Sequence, residues 1–276
     1  MPKKKSPRKR KSKFTAATAD KYELYEMSVQ SPEPDVAFLA RVYKKERGKQ
    51  ALHFREDFSG TGALTAQWIK RSRRHTAEAF DIDPEPIAWG REQHFAPMGE
   101  AGARAVLHQA DVRDPSRKRP DVRCAQNFSY WIFMTRAEML HYLRGCHEDL
   151  ASDGILVLDM FGGPEAMQEM EEETEQDEGF SYVWDQDEFW PVTHEASLAI
   201  HFRFKDGSEM HNAFTYRWRL WTMPEMTDLL YEAGFTRVDP YWEGTDKDGE
   251  SGNGVYTKTR RGENDLAWVS YLVALK

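Results

Sequence analysis

One short segment in the first third of the chain contains residues suited to holding the polar end of a nucleoside-containing ligand. Glu56 precedes Gly60-Thr61-Gly62, and a helix is predicted to begin directly after this turn. Glycines let a backbone approach a ligand closely, and the N-terminus of a helix carries partial positive charge. The turn is therefore suited to an anionic group, while the Glu56 carboxylate is suited to an amino group beside it.

Three further segments follow strands and complete the pattern. Asp81 can accept hydrogen bonds from both hydroxyls of a ribose, as an acid does at this place in dinucleotide-binding sheets, and Ile82 would lie against an adenine. The Asp111-Val112 pair offers a carboxylate to the adenine amino group and a backbone N–H to a ring nitrogen. The Asn127-Phe128 pair would lie beside the reactive end of the ligand. Each signal is weak alone, but four in this order predict a nucleoside site.

The elements that must position these residues alternate between apolar strands and helices. The predicted strands cover residues 51–54, 77–80, 105–109, 122–128 and 155–160. The predicted helices cover residues 63–73, 84–94 and 135–150, after two shorter helices that a Pro-rich break at 31–34 separates. Apolar strands in this alternation indicate a parallel sheet that helices cover on both faces. Ligands of such sheets bind at the carboxyl ends of the strands, where all four groups fall.

The pattern changes after residue 164. Residues 165–178 are strongly acidic and predict an exposed helix, and strands are predicted at 180–184, 196–204 and 210–221. Three antiparallel strands do not belong to a parallel core, so we interpret them as an inserted sheet that serves as a lid or substrate platform. Its many aromatic residues are typical either of a pocket or of a sheet core. A helix at 224–234, strands at 236–242 and 267–274, and a loop at 243–264 complete the prediction.

Taken in order, these motifs resemble those of class I S-adenosylmethionine (SAM)-dependent methyltransferases. Residues 56–62 (EDFSGTG) resemble the first motif of that family, 80–85 (FDIDPE) the second and 109–112 (QADV) the third. The apolar strand within 150–161 is similar to the fifth-strand region. The resemblance covers about residues 50–164 and 222–276. Residues 55–61 (REDFSGT) together with 216–221 (YRWRLW) are similar to one bacterial-type subfamily, which implies no particular substrate.

The resemblance implies an α/β fold: a Rossmann-like, mostly parallel seven-stranded sheet with helices on both faces, plus an inserted antiparallel β lid. The last strand of this family runs antiparallel to the rest. Five segments are expected: a disordered basic tail (1–17), N-terminal helices covering the cofactor site (18–50), the SAM-binding core (51–163), the inserted acidic helix and lid (164–221), and the C-terminal part of the core (222–276).

The cofactor implied by the resemblance is SAM, with S-adenosylhomocysteine (SAH) as product, and the expected activity is methyl transfer to a small-molecule acceptor. The predicted cofactor-binding residues are Tyr22, Tyr25, Arg55, Glu56, Gly60, Gly62, Asp81, Ile82, Asp111, Val112, Asn127 and Phe128. The two tyrosines would fold over SAM from the N-terminal helices. The candidate catalytic residues are Tyr130, His201 and His211, which could act as a general base if the acceptor must lose a proton. No metal site is predicted.

Three alternatives remain open at the level of sequence. An NAD-binding Rossmann domain would carry the fingerprint Gly-x-Gly-x-x-Gly, but Thr65 stands where its third glycine would be. The acceptor of a SAM-dependent enzyme could instead be RNA, DNA or a protein, guided by the basic N-terminus. The chain could also be a non-catalytic interaction module with the SAM-binding fold.

The distribution of charge favours the small-molecule acceptor. The first 13 residues contain eight Lys or Arg and no acid, whereas the whole chain has 38 basic and 46 acidic residues. The remainder therefore has 30 basic against 46 acidic residues, a net charge of −16. An acidic surface binds nucleic acid poorly, so nucleic acid is expected only at the tail. Without an apolar run or signal core, no membrane association and a cytoplasmic location are expected, or a nuclear one in a eukaryote.

Overall fold

The structure, a computed structural model, describes residues 14–246 and 252–276. In chain order, its strands are β1 (His53–Asp57), β2 (Thr76–Asp81), β3 (Ala105–Gln109), β4 (Val122–Ala125), β5 (Ile155–Gly162), β6 (Met170–Glu175), β7 (Phe180–Trp190), β8 (Glu195–Phe204), β9 (Glu209–Arg219), β10 (Arg237–Thr245), β11 (Gly252–Lys258) and β12 (Trp268–Leu275). Its α-helices are α1 (Lys21–Val29), α2 (Pro32–Arg47), α3 (Ala63–Lys70), α4 (Pro84–Gly90), α5 (Arg136–Asp149) and α6 (Met223–Glu232). Among the described residues, no helix is long and apolar enough to cross a membrane.

The larger sheet has the strand order β11-β10-β12-β5-β4-β1-β2-β3. Strands β1 to β5 are parallel, and β12 runs antiparallel between β5 and β10. The predicted Rossmann-like α/β sheet with an antiparallel last strand is therefore confirmed. Because the strand order reverses between β1 and β4, the carboxyl ends of these two strands open a crevice in which such sheets bind ligands.

Side chains of β5 alternate between two hydrophobic cores, one on each face of the larger sheet. Leu156 and Leu158 belong to a core with α5 and α6, whereas Ile155 and Val157 belong to a second core with α2 and α3. This alternation follows from the two-residue period of a strand. It explains why β5 is almost entirely apolar, and it confirms that helices cover both faces of the sheet.

The predicted loop at residues 243–264 is wrong in part, because β11 adds an eighth strand there. It pairs antiparallel with β10, and the register shifts between Glu243 and Thr245. Most of its side chains are exposed. An edge strand with little burial needs no apolar pattern, so its polar, Gly-rich sequence could not be distinguished from a loop.

A second, antiparallel sheet is inserted between β5 and α6, in the order β6-β7-β8-β9. This confirms the predicted inserted sheet, but it has four strands rather than three. The acidic segment predicted to be a helix forms β6 after a short 3₁₀ turn at Pro164–Met167. Charged residues are common on edge strands because they discourage pairing with other chains. The acidic sequence of β6 thus matches its edge position rather than a helix surface.

The two predicted N-terminal helices are present as α1 and α2, and the expected disorder over residues 1–17 is wrong for the last four of these residues. Residues 1–13 of the expected disordered tail lie outside the described residues. Residues 14–17, however, are ordered: Phe14 is buried, and its ring meets Phe180 edge-on at 5.7 Å between centroids. The Ala16 N–H donates to Ser208 Oγ at 3.0 Å. Phe14 and Ala16 thus attach the segment in front of α1 to the inserted sheet.

Candidate functional site

The Gly-rich turn joins β1 to α3 through two glycines in the left-handed region, Gly60 at φ 51° and Gly62 at φ 71°. A Cβ atom added at Gly60 would meet no atom within 4 Å, so the turn borders open space. At Gly62 it would come within 3.2 Å of the Phe95 ring. The turn therefore offers backbone to a ligand at Gly60, while Gly62 allows α3 to start against the underlying core.

Asp81, at the end of β2, connects the ends of three strands. Its Oδ2 accepts from the Gly60 N–H at 2.7 Å and its Oδ1 from the Asp83 N–H at 2.9 Å. Its backbone carbonyl accepts from the Ala110 N–H at 2.9 Å, just after β3. Beside it, the Ile82 side chain is 71% exposed. An acid next to an exposed apolar side chain at this edge fits a ribose joined to a flat base.

The end of β3 carries the predicted adenine contacts, Asp111 and Val112. Asp111 forms an ion pair with Arg113, whose guanidinium holds the pKa of the carboxyl below its usual range. Val112 is buried, and its carbonyl accepts from the side chains of Arg55 and Arg123. These residues follow the strand on the same edge as Asp81, as the sequence motif predicts.

Glu56 lies in β1 and is almost completely buried. One carboxylate oxygen accepts from both the N–H and the hydroxyl of Thr65, at 2.9 and 2.5 Å, in the first turn of α3. Burial raises the pKa of Glu56 to about 8, and the charges of Asp81 and Asp57 act in the same direction. A buried acid that is protonated near neutral pH is ready to gain charge when a cation binds beside it.

The prediction that Arg55 binds the cofactor is wrong. Its side chain is fully buried, with Nε donating to Asp57 at 2.7 Å and Nη2 to the Val112 carbonyl at 2.6 Å. Nη1 contacts Asp149, and the guanidinium lies 3.7 Å from the centre of the Phe80 ring. Because its donors are directed at internal acceptors, Arg55 stabilises the ends of the strands from inside the protein.

The turn after β4 holds Asn127 and Phe128 in a strained backbone conformation, at φ 55° and 57°. Their N–H groups donate to the two carboxylate oxygens of Asp159 in β5, at 2.5 and 3.0 Å. Asparagine tolerates the left-handed conformation, but it is unfavourable for a bulky residue such as Phe128, so the carboxylate helps to hold the turn. Burial raises the pKa of Asp159 to about 7. The sequence motifs do not include Asp159, although an acid inside an otherwise apolar strand was a usable signal.

Tyr130 does not have the exposure that the candidate catalytic role requires. Its side chain is fully buried, and its hydroxyl donates to the Asp159 carbonyl at 2.7 Å. Burial raises the pKa of Tyr130 well above its ordinary value. Tyr130 therefore supports the turn after β4, and its prediction as a general base is corrected.

His201 and His211 are also corrected, because they lie on the outer face of the inserted sheet, away from the cavity beneath it. The two rings stack at 4.3 Å between centroids. His201 Nδ1 accepts from the Asn212 N–H, and Nε2 lies 3.2 Å from Asp185. Ile200, the neighbour of His201 in β8, faces the cavity instead. Since strand side chains alternate, the two-residue period could have excluded His201 from the sequence.

Helix α1 lies against the Gly-rich turn and the inserted sheet. Glu26 accepts from the Thr61 hydroxyl at 2.5 Å and is 2.7 Å from His94 Nε2. Tyr22 and Tyr25, at i−4 and i−1 from Glu26, lie on the same face of the helix. The ring of Tyr25 lies 4.9 Å from that of Phe214 in β9, while Tyr22 packs against Trp89 of α4. The predicted tyrosines thus hold α1 between α4 and the inserted sheet, beside the Gly-rich turn. Glu26 was missed because it belongs to no motif.

A cavity of about 1070 Å³ opens beside the turn after β4. Asn127, Phe128 and Tyr25 border it, as do the end of β5 and the segment before β12. Its far wall is the inserted sheet, from which Tyr182, Trp184, Gln186, Ile200, Tyr216 and Trp218 point inwards. The carboxyl edge formed by Gly60 and Asp81 is not part of this cavity. The structure therefore brings two adjoining spaces together: an edge suited to a nucleoside and a deeper aromatic cavity.

No protein-family model and no curated protein matches the chain. Among solved structures, SAM-bound CalS10, an amino pentose methyltransferase from Micromonospora echinaspora, is similar, with a TM-score of 0.66 and 18% identity over 93% of this chain and 97% of that one. A SAM-dependent methyltransferase from Clostridium acetobutylicum has a TM-score of 0.66 and 12% identity, over 92% of this chain and 96% of that one. KedS8, a sugar N-methyltransferase from a Streptoalloteichus species, has a TM-score of 0.62 and 16% identity, over 100% of this chain and 99% of that one.

These similarities extend over nearly the whole length of both chains in each pair. At such low identity they are evidence of a shared fold, inserted segment included, and not of a shared substrate. Together with the strand order of the larger sheet, they lead to one conclusion: the chain has the Rossmann-like fold of the class I SAM-dependent methyltransferases.

Proposed function

We propose that this protein is a SAM-dependent methyltransferase that acts on a small molecule bound beneath the inserted sheet. The observation that carries the proposal is the convergence of the strand-end groups. Gly60, Asp81 and the turn at 127–128 lie along one edge of the parallel sheet and adjoin a large cavity. In open α/β sheets this edge is the place where ligands bind.

The residues present fit the cofactor, and the proposal gives each of them a role. The backbone at Gly60, which borders open space, would receive the methionine carboxylate, and Glu56 would serve the amino group. Asp81 would accept from the ribose hydroxyls. Ile82, Asp111 and Val112 would contact the adenine, and Tyr25, Asn127 and Phe128 would border the methyl end.

Bound SAM would supply a methyl group that is activated by the positive sulfonium. The task left to the chain is to align the acceptor with that methyl group and to exclude water. Phe128 and Tyr25 line the cavity beside the proposed cofactor edge, and Glu26 fastens α1 across the Gly-rich turn. With Tyr130, His201 and His211 corrected, we propose no general base, so that catalysis rests on alignment.

Three observations favour a small-molecule acceptor over a macromolecule. The cavity has walls on several sides. A nucleic-acid site would require Lys or Arg, and neither is found among the described residues that line the cavity. CalS10 and KedS8, which share the fold, act on an amino pentose and a sugar according to their descriptions. We also propose a cytoplasmic location, since Cys124 and Cys146 are both unpaired and buried.

The proposal is tested by calorimetry with SAH and by transfer of an isotopically labelled methyl group from SAM to a small-molecule extract. We expect SAH to bind with a dissociation constant of about 1 to 10 µM, which corresponds to roughly −8 to −7 kcal/mol. Label should appear in a low-molecular-mass product. Binding of NADH without binding of SAH would refute the proposal, and label incorporated only into RNA or protein would exclude the small-molecule acceptor.

The raised pKa of Glu56 predicts that SAH affinity depends on pH. In the free protein the carboxyl is protonated below its pKa of about 8, and we propose that the ligand amino group requires the charged form. Binding then releases a proton, so affinity should increase as pH rises and level off near that pKa, by up to about tenfold per pH unit. Calorimetry in two buffers of different ionisation enthalpy measures the proton release. Glu56→Gln should abolish it, and an unchanged release in that variant would contradict the assignment.

A further inference from the structure

The inner face of the inserted sheet carries three aromatic side chains in mutual contact. The ring centroids of Trp184 and Trp218 are 6.2 Å apart, those of Trp184 and Tyr216 6.3 Å, and those of Tyr216 and Trp218 4.5 Å. We call these three residues the aromatic wall. Trp218 also lies 6.3 Å from Phe128, in the turn that borders the proposed methyl end. The aromatic wall is thus continuous with the place where methyl transfer would occur.

Negative charge surrounds the aromatic wall. The acidic residues that line the cavity are Glu165, Glu172, Glu243, Glu263 and Asp265. Glu172 stands directly opposite Trp184 in the pairing of β6 with β7, so both side chains share the cavity face. No described residue forms a hydrogen bond or ion pair with the Glu172 carboxylate. Nothing in the described part of the chain therefore neutralises it.

The acids on the opposite face of β6 have a different environment. Glu171 and Glu173 both form ion pairs with Arg203, at 2.8 Å each. The same strand therefore has neutralised acids on one face and an unpaired acid on the cavity face. Glu172 is exposed to solvent like its neighbours, and what distinguishes it is an unpaired carboxylate beside Trp184 on the cavity face.

An aromatic surface combined with an unpaired carboxylate discriminates between ligands by charge. The face of an aromatic ring attracts a cation, most strongly for Trp, and a nearby carboxylate adds to that attraction. An anion would be repelled by the five cavity acids, and a neutral molecule would gain only contact area. Because the cavity is large enough for a small metabolite, its chemistry selects among such molecules.

We propose that the methyl acceptor is a small molecule bearing a protonated amine, which the aromatic wall and Glu172 recognise. This inference rests on the proposed methyltransferase function. The amine serves as a handle for binding, and the atom that receives the methyl group is a separate question. The neutral or deprotonated acceptor atom would lie towards Phe128, and the charged amine towards β6.

The inference is tested with two probes of similar shape, benzylammonium and benzyl alcohol, by calorimetry on the full chain saturated with SAH. We expect benzylammonium to bind and the binding to weaken as salt is added, whereas benzyl alcohol should bind more weakly. Glu172→Gln should weaken benzylammonium binding about fivefold, the effect of losing one partly exposed ion pair. Glu173→Gln is the matched control on the same strand and should change binding by less than about twofold.

Equal binding of the two probes, equal effects of the two substitutions, or no saturable binding of benzylammonium would each overturn the inference. Trp184→Leu provides a second test, because it keeps an apolar side chain at this position but removes the aromatic ring. It should weaken benzylammonium binding by a larger factor than benzyl alcohol binding, because both probes lose contact area but only the cation loses the attraction of the ring face. Failure of SAH to bind would refute the proposed function instead, and the comparison of probes can then be made on the protein without SAH.

Discussion

Asp81→Ala is expected to weaken SAH binding at least about tenfold, or 1.4 kcal/mol. Under the proposed function, the carboxylate accepts from two ribose hydroxyls, and hydrogen bonds to a charged group contribute about 1.5 to 3 kcal/mol each. The loss of one such hydrogen bond alone corresponds to about ten- to a hundredfold weaker binding. The same carboxylate also accepts from the Gly60 N–H at 2.7 Å, so its removal frees the turn that we propose for the methionine end. Calorimetry with SAH measures the change directly.

Asp83→Asn is the matched control for this prediction. Asp83 lies two residues further on and caps α4 by accepting from the Glu85 N–H at 2.9 Å. Asparagine caps helices about as well as aspartate, so this variant removes a nearby charge without removing the cap. We expect its SAH affinity to change by less than about twofold. If Asp81→Ala bound SAH as tightly as the control, the assignment of Asp81 to the ribose would be wrong.

The parallel core was predictable because buried strands leave a strong sequence signal. Strand β5 is buried on both faces and therefore reads as an apolar run, and β3 was predicted with the bounds that the structure shows. The strand ends could be found for the same reason, since a polar group directly after an apolar run marks the sheet edge. Gly60 and Asp81, which are 21 residues apart in sequence, were both placed at strand ends from their motifs, and a hydrogen bond joins them there.

The edge strands and the roles of single side chains could not be predicted in this way. Strands β6 and β11 lie at sheet edges and bury little surface, so neither has the apolar pattern on which the prediction depends. The role of Arg55 depends on Asp149, whose carboxylate lies 94 residues away in the sequence. A motif adjacent to a cofactor turn suggests a ligand contact, whereas only the fold reveals that the side chain points inwards.

The second large effect, on stability, is expected in the buried network that Arg55 and Arg123 form with Asp57 and Asp149. Asp57 is fully buried and accepts from Arg55 Nε and Arg123 Nε at 2.7 Å each, and from the Tyr142 hydroxyl at 2.8 Å. Asp149 contacts the same two arginines at 3.2 and 3.1 Å, so two carboxylates balance two guanidinium groups. Asp57→Ala leaves one positive charge uncompensated in the protein interior. Breaking a buried ion pair in this manner costs about 3 to 5 kcal/mol of the free energy of unfolding.

Urea denaturation of Asp57→Ala and Arg217→Ala separates this buried network from an ordinary surface pair. The Arg217 side chain is 68% exposed and pairs with Glu195 at 2.7 Å, so its loss should cost no more than about 1 kcal/mol. Asp57→Asn keeps the size of the side chain, removes the charge and replaces one accepting oxygen with an amide donor that would face an arginine Nε. We therefore expect its loss of stability to be close to that of the alanine variant. If Asp57→Asn lost as little free energy of unfolding as Arg217→Ala, then shape and the remaining hydrogen bonds, rather than charge balance, would hold Arg55 and Arg123. In that case, the inward orientation of Arg55 would depend on the backbone carbonyls and the Phe80 ring around its guanidinium, and not on the carboxylates.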